Sequence, residues 1–343
     1  MPLTLQHLFP TSSLGFDSIG FLFGCGTSKG AGYPLMGELT KSVYSSLSSA
    51  EQQHIVDVFV SESVPYDLVA GQPDIENAID IVVKHRLQSQ KPHLTSLEAS
   101  IRKHITDTIL AVTSPRLDDH LVFLDSLSRI FSGRSSRIWI FTTNYDLLFE
   151  LAAEKLKIRV LNGFSGIFSR FFDYDSLQLH IGHLSGSSFS PLNQLEIILV
   201  KLHGSISWYN SGIDIIETMI PQQAISRTMV LPQKTKIINT LERPYDSIFR
   251  YSSQILGTEC KYLVSCGFGY RDQHIVDTLI LPKLHKRDVR FFALFGEEPT
   301  WLSQLTSLVN FNYATPTKFV VDGSTTTEPI DSWRFDKFVK LFP

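Results

Sequence analysis

The chain has 343 residues, with 31 Lys and Arg against 34 Asp and Glu for a formal charge of −3; 43% are hydrophobic and 19% charged. That balance excludes disorder, collagen-like repeats and a polycationic nucleic-acid-binding arm. Neither nucleic acid nor an anionic membrane is expected as the main ligand, and the length suits two structural units or one large elaborated one.

Cys25, Cys260 and Cys266 have no Cys-x-x-Cys spacing. A four-thiolate zinc site is therefore one ligand short, and no disulfide framework is expected, which fits a reducing compartment. The start Met-Pro-Leu-Thr-Leu-Gln-His lacks the cationic opening of a secretory signal. The apolar runs Ile19–Phe23, Ile138–Phe141, Leu195–Val200 and Phe291–Phe295 fall well short of the ~20 residues that cross a bilayer. A cytoplasmic protein is the expectation.

In chain order, Ile19–Phe23 reads as a buried strand that runs into glycines. Pro34 then opens a helix with Leu35, Leu39, Val43 and Leu47 at four-residue spacing. Residues 50–131 show helical periods only. Asp74 is placed to cap a helix whose Ile75, Ile79, Val82, Val83 and Leu87 share a face. Leu97, Ile101, Ile105 and Ile109 make a second stripe, and Leu121, Leu124, Leu127 and Phe131 a third. This stretch reads as a helical insertion between two strands of one sheet.

Strand-like segments follow at Ile138–Phe141, Ile158–Leu161, Ile197–Leu202, Tyr262–Cys266, Val289–Phe295 and Lys318–Val321. Helical stretches at Leu147–Leu156, Tyr245–Leu256, His274–Lys283 and Thr300–Val309 separate several of them. Apolar strands alternating with helices predict an α/β protein with a parallel sheet covered on both faces. Phe164–Asn193, rich in Ser, Gly and Phe, has no clear period and reads as an irregular insertion. The closing Trp333–Phe342 stripe is either a docking helix or the last element covering the sheet.

Four segments at strand ends carry candidate chemistry, because ligands of open α/β sheets bind at that edge. Gly24-Cys25-Gly26-Thr27-Ser28-Lys29-Gly30-Ala31-Gly32 lets backbone N–H groups approach a pyrophosphate; a plain glycine-rich turn is the alternative. It fits neither the dehydrogenase fingerprint nor a Walker loop. In Phe141-Thr142-Thr143-Asn144-Tyr145-Asp146, Asn144 offers an uncharged donor and acceptor suited to ribose hydroxyls or a water, with a plain turn residue as the alternative. Asp146 is either part of the site or the cap of the next helix. In Lys201-Leu202-His203-Gly204-Ser205, His203 is suited to proton exchange near neutral pH, and Trp208 beyond it either walls a pocket or belongs to the core. In Ser265 through Ile275, Gly267 and Gly269 would admit the adenosine half of a dinucleotide, Asp272 reads as a helix cap ahead of a catalyst, and His274 as a helix-surface residue ahead of a ligand contact.

Taken in order, these segments resemble the sirtuin family over about residues 19–295. The residues that carry the likeness are Gly24-Cys25-Gly26-Thr27-Ser28 with Pro34, Thr143-Asn144-Tyr145-Asp146, Leu202-His203-Gly204-Ser205, and Gly267-Phe268-Gly269-Tyr270-Arg271-Asp272-Gln273-His274-Ile275. The likeness is nearest to the zinc-free prokaryotic branch of NAD-cleaving effectors of anti-phage defence. It implies a Rossmann-like domain (1–49 and 132–343) interrupted by the 50–131 helical module. It implies Asn144 and His203 as catalytic residues, Asn144 positioning a water or the nicotinamide ribose. It also implies an NAD-binding set of Gly24, Gly26, Thr27, Ser28, Asp146, Gly267, Gly269 and Asp272, and no metal.

The implied reaction is hydrolysis of NAD+ to ADP-ribose and nicotinamide. A homo-oligomer gated by a partner in trans is also implied, a HerA-like ATPase ahead of an Argonaute-like protein. Two features depart from protein-deacylating sirtuins: the missing four-cysteine zinc module, and Tyr33-Pro34-Leu35-Met36 where those enzymes carry Pro-Asp-Phe-Arg. A deacylase is thus the least favoured alternative, behind a non-catalytic scaffold that binds NAD or ADP-ribose.

Overall fold

The computed structural model describes residues 2–9, 18–211, 214–220, 227–229 (as backbone), 244–270 and 272–343. Arg271 of the fourth segment lies outside them. In chain order the strands are β1 Ile19–Phe23, β2 Ser136–Thr142, β3 Arg159–Leu161, β4 Phe164–Ser165, β5 Arg170–Phe172, β6 Gly182–Ser185, β7 Ser188–Pro191 and β8 Leu195–Lys201. They continue with β9 Gly204–Asn210, β10 Ile215–Glu217, β11 Arg227–Met229, β12 Tyr262–Cys266, β13 Arg290–Leu294, β14 Phe311–Thr315, β15 Lys318–Val321 and β16 Ser324–Thr327. The helices are α1 Leu5–Leu8, α2 Met36–Ser46, α3 Ser49–Ser61, α4 Ile75–Ser89, α5 Pro92–Leu110, α6 Asp118–Ile130 and α7 Leu148–Leu156. Then come α8 Tyr245–Ile255, α9 Gln273–Ile275, α10 Leu281–His285 and α11 Phe335–Phe338.

A nine-stranded sheet, ordered β16-β15-β14-β13-β12-β1-β2-β8-β3, organises the fold. Pairing is parallel from β14 through β3, and β15 and β16 add an antiparallel edge. The chain is thus α/β and Rossmann-like. The strands read as apolar runs because alternate residues enter two different cores. On one face, Phe21 and Phe23 of β1, Ile138 and Ile140 of β2, and Ile197 and Leu199 of β8 meet Phe123 of α6, Phe149 of α7, and Phe335 and Phe338 of α11. On the other, Leu22, Trp139, Phe141, Ile198 and Val200 meet Ile248 and Tyr251 of α8 and Leu279 and Leu284 beyond α9. The closing aromatic stripe therefore covers the sheet. Each such buried side chain contributes about 1.5–3 kcal/mol.

Helices α2 to α5 share a third core from Leu39 to Ile109, which also takes in Leu147 and Ile206. Those two residues follow the second and third site segments directly, so this bundle stands over the sheet's C-terminal edge. Helix α6 packs against the sheet instead. Asp74 caps α4, its Oδ1 accepting from the Asn77 N–H at 2.9 Å. Leu87, expected on the buried stripe, is 54% exposed, because the helix outlasts its partners there.

Two other expectations change. Phe164–Asn193 is not irregular: β4 and β5 join a five-stranded antiparallel sheet ordered β11-β9-β10-β5-β4, and β6 and β7 form a hairpin. Thr300–Val309 contains only a 3-10 turn, Leu302–Gln304. The helical stretch after Asp272 forms, but widens to a π-turn at Val276–Ile280 just ahead of Pro282, which has no N–H to continue the regular ladder.

Candidate functional site

Strand register brings the four segments together. Phe23 pairs with Cys266 on one side and Thr142 on the other, and Thr142 pairs with Lys201. The chain leaves all four strands at one level of the C-terminal edge, where parallel sheets bind ligands. Asn144 and His203 each lie two residues beyond the Thr142–Lys201 pair.

The first and fourth loops are locked backbone to backbone. Gly26 N–H donates to Gly267 O at 3.0 Å. A Cβ on Gly24 would lie 2.7 Å from Gly267 O, one on Gly26 2.7 Å from Gly267 Cα, and one on Gly267 2.6 Å from Thr27 N. Gly267 also has φ +65°, where a side chain is strained. These glycines are required by the contact between loops, apart from any ligand. Gly269 differs: an added Cβ would meet nothing within 4 Å, so it faces open space.

Asn144 holds the first of these loops. Its Nδ2 lies 3.1 Å from Gly24 O, 3.1 Å from Thr27 Oγ1 and 2.9 Å from Ser28 Oγ, two hydrogens serving three acceptors. Thr27 Oγ1 itself donates to Gly24 O at 2.9 Å, and Ser28 Oγ donates to Asp146 Oδ2 at 2.6 Å. The other Asp146 oxygen accepts from the Leu148 N–H at 3.1 Å. Asp146 thus ties the glycine loop to the start of α7. Asn144, Thr27, Ser28 and Asp146 are all buried.

Behind them lies Lys201, the residue opening the third segment. Its buried ammonium donates to Asp146 O and sits 3.0 Å from Glu150 Oε1. Burial pushes the Glu150 carboxyl up, against the pull of Lys201. Tyr33 packs nearby, its phenol raised to about 12 by burial and by the charges of Asp146 and Glu150.

His203 forms a second cluster. Its Nε2 lies 2.6 Å from Asp272 Oδ2, with both side chains buried. The Tyr145 ring, between Asn144 and Asp146 in sequence, lies 6.3 Å from the His203 imidazole. Burial drives the Tyr145 phenol well above its usual value, and Glu76, Tyr245 and Asp272 add to the rise, so it stays protonated. Asp272 does cap α9, its Oδ1 accepting from Ile275 N–H at 3.4 Å; the same carboxylate also reaches His203. His274 is half-buried, its ring 4.7 Å from that of Phe249 and tilted to it. Trp208 is a core residue, packed on Phe164 with its Nε1–H toward Glu217.

The sequence signals missed Lys201, Tyr145 and the Asp272–His203 contact. Lys201 closes an apolar strand, an unusual place for a solvated lysine, and that position was the available clue. Among the described residues, no group of three His, Cys, Asp or Glu is placed to hold a metal ion. No helix among them is long and apolar enough to cross a membrane.

The edge therefore offers an amide, two hydroxyls and the Asp146 carboxylate around the glycine loop, and beside them the His203–Asp272 pair. No curated protein matches the chain. Residues 139–299, which hold the Asn144, His203 and Asp272 segments, match the family model of the SIR2-like domain. SIR2-like domains are NAD-dependent enzymes, and residues 139–299, which include the central strands β8 and β12 and the loops at their C-terminal ends, are similar to one.

Proposed function

We propose that the chain hydrolyses NAD+ to ADP-ribose and nicotinamide. The observation that carries this reading is the level of the four loops: register puts Asn144, His203, the Gly24 loop and the Gly267 loop on one rim. A dinucleotide laid along that rim would place its adenosine half at Gly267 and Gly269, where space is open at Gly269. Its nicotinamide ribose would lie toward Asn144 and His203.

In hydrolysis the C1′–N1 bond breaks and nicotinamide leaves as a neutral molecule, so the leaving group needs little acid assistance. Positive charge develops at C1′, water forms the new C1′–O bond, and its proton passes to a base. The protein's task is to orient the ribose, exclude bulk water and admit one water. His203 is the group suited to accept that proton. Asn144, its amide committed to Gly24, Thr27 and Ser28, acts by fixing the loop against which the ribose sits.

The test is chromatographic release of nicotinamide from NAD+ by the purified chain, with and without candidate partners. His203→Ala is expected to lower turnover by about 10²–10⁴-fold with the fold intact. Asn144→Ala is expected to lower it comparably while also costing about 2 kcal/mol of stability, because it removes the amide that donates to the buried Gly24, Thr27 and Ser28 oxygens. Full turnover in His203→Ala overturns the reading.

A second reading, a scaffold that binds NAD or ADP-ribose without turnover, draws on the same engagement of Asn144, since the amide is already occupied by the protein. Calorimetric binding of NAD with no nicotinamide release under any partner condition would establish it. Unrestrained NAD+ cleavage is harmful to a cell, so we further propose a gated effector of anti-phage defence in the cytoplasm. It would be homo-oligomeric and triggered by a partner in trans, a HerA-like ATPase ahead of an Argonaute-like protein. The α2–α5 bundle over the rim is the element placed to transmit such a signal. Analogy alone supports this last step.

A further inference from the structure

We propose that Asp272 is the positioning carboxylate of His203, setting the tautomer and orientation of the imidazole for proton transfer; this rests on the NAD+-hydrolase reading. Three observations support it. The Asp272 Oδ2–His203 Nε2 distance is 2.6 Å, in the range of a charge-assisted hydrogen bond. Both side chains are more than nine-tenths buried, at 7% and 6% exposure, so solvent screens the contact little. The two oxygens of Asp272 face different elements: Oδ1 takes the Ile275 N–H of α9 and Oδ2 lies 2.6 Å from the imidazole Nε2. A carboxylate held at both oxygens has little freedom to turn.

A cap alone does not call for this arrangement. One side-chain oxygen satisfies an N-cap, and Asn, Ser or Thr supplies it as well as Asp. Capping does not need the second oxygen or the negative charge, and that oxygen lies against the His203 imidazole. Accepting the Nε2–H fixes the ring proton on that nitrogen and leaves Nδ1 as the basic one. When water adds at C1′ and nicotinamide departs with the electron pair of the C1′–N1 bond, the water proton passes to His203 Nδ1. The carboxylate stabilises the resulting imidazolium until the proton is released to solvent. The sum is NAD+ plus water giving ADP-ribose, nicotinamide and one proton. Orienting carboxylates of this kind act through the histidine without touching the substrate.

The experiment compares wild type, Asp272→Asn and Asp272→Ser as full chains, measuring nicotinamide release, thermal unfolding and the imidazole 15N signals of His203, assigned by their loss in His203→Gln. Both substituents still cap α9, so the unfolding midpoint is expected to move little. For Asp272→Asn, kcat is expected to fall about 10²–10³-fold with KM within about threefold, and the His203 nitrogens are expected to leave the Nε2-protonated pattern. Should Asp272→Asn fail to fold, Asp272→Ser carries the same comparison. A kcat within about twofold of wild type in a folded variant, or unchanged imidazole signals, overturns the proposal and leaves the hydrolase reading standing. If wild type itself releases no nicotinamide, the hydrolase reading has failed, and the imidazole pattern alone decides whether Asp272 sets the state of His203.

Discussion

The two halves of the rim are built on different principles. On the side of Asn144, an amide, two hydroxyls and the Asp146 carboxylate are spent on one another and on backbone, so this half is a clamp that shapes the glycine loop. On the side of His203, an imidazole meets the Asp272 carboxylate, and both are groups that exchange protons. The contrast separates shape from chemistry. Damage to the clamp is expected to appear first as lost stability, and damage to the imidazole pair as lost turnover.

Replacing Gly267 with alanine is the severest way to break the clamp. The new Cβ would lie 2.6 Å from Thr27 N and 2.9 Å from Gly26 C, both backbone atoms that cannot swing aside. Added to that is the φ of +65°. Clash and conformational strain together are expected to cost about 3–5 kcal/mol. Equilibrium denaturation would show this as a lower midpoint or as failure to fold; a midpoint equal to wild type would remove the clamp from the account.

A smaller effect sharpens the electrostatic side of the contrast. His120 of α6 lies within the field of Asp146, yet its ring is buried against Phe149 and Phe335 and neither nitrogen has a hydrogen-bond partner. Burial lowers it from 6.5 to about 4, and Asp146 only partly opposes this. A base depressed in the folded state favours folding as the neutral form. As pH falls from 6.5 towards 4, the unfolded chain takes up the proton first and stability is lost. The loss amounts to about 3 kcal/mol by the lower end of that window. His120→Leu is expected to resist acid better than wild type between pH 6.5 and 4, measured as the difference in denaturation midpoint, with the two chains closer at pH 7. Parallel pH curves for the two would show that His120 does not titrate with folding.

The same division decides what could be read before folding. Strands β1, β2, β8, β12 and β13 were legible because burial on both faces makes them continuous apolar runs. Their ends then pointed to Asn144 and His203 by the rule that parallel sheets bind at the C-terminal edge. The hairpins within 164–193 were not legible, since strands of two to four residues with exposed Leu184 and Phe189 carry no period that burial would impose. Leu87 misled because a helical stripe continues past the surface it packs against. The reach of Asp272 to His203 left no trace in spacing at all. Its local role as a cap fully accounts for an aspartate before a helix, and only the pairing of distant strands reveals the second contact.

The smallest expected effect is the most discriminating for the glycines. Gly24, Gly26, Gly267 and Gly269 look alike as letters, yet a Cβ at Gly269 would meet nothing within 4 Å and its φ is not in the left-handed region. Gly269→Ala should therefore leave stability within about 0.5 kcal/mol of wild type, or raise it slightly through the unfolded state. If the open space at that position is where the adenosine half of NAD lies, the added methyl should weaken NAD binding while the fold is untouched. Calorimetric titration of the variant reads this directly. Unchanged affinity would move the adenosine away from Gly269 and leave the clamp glycines with a structural role alone.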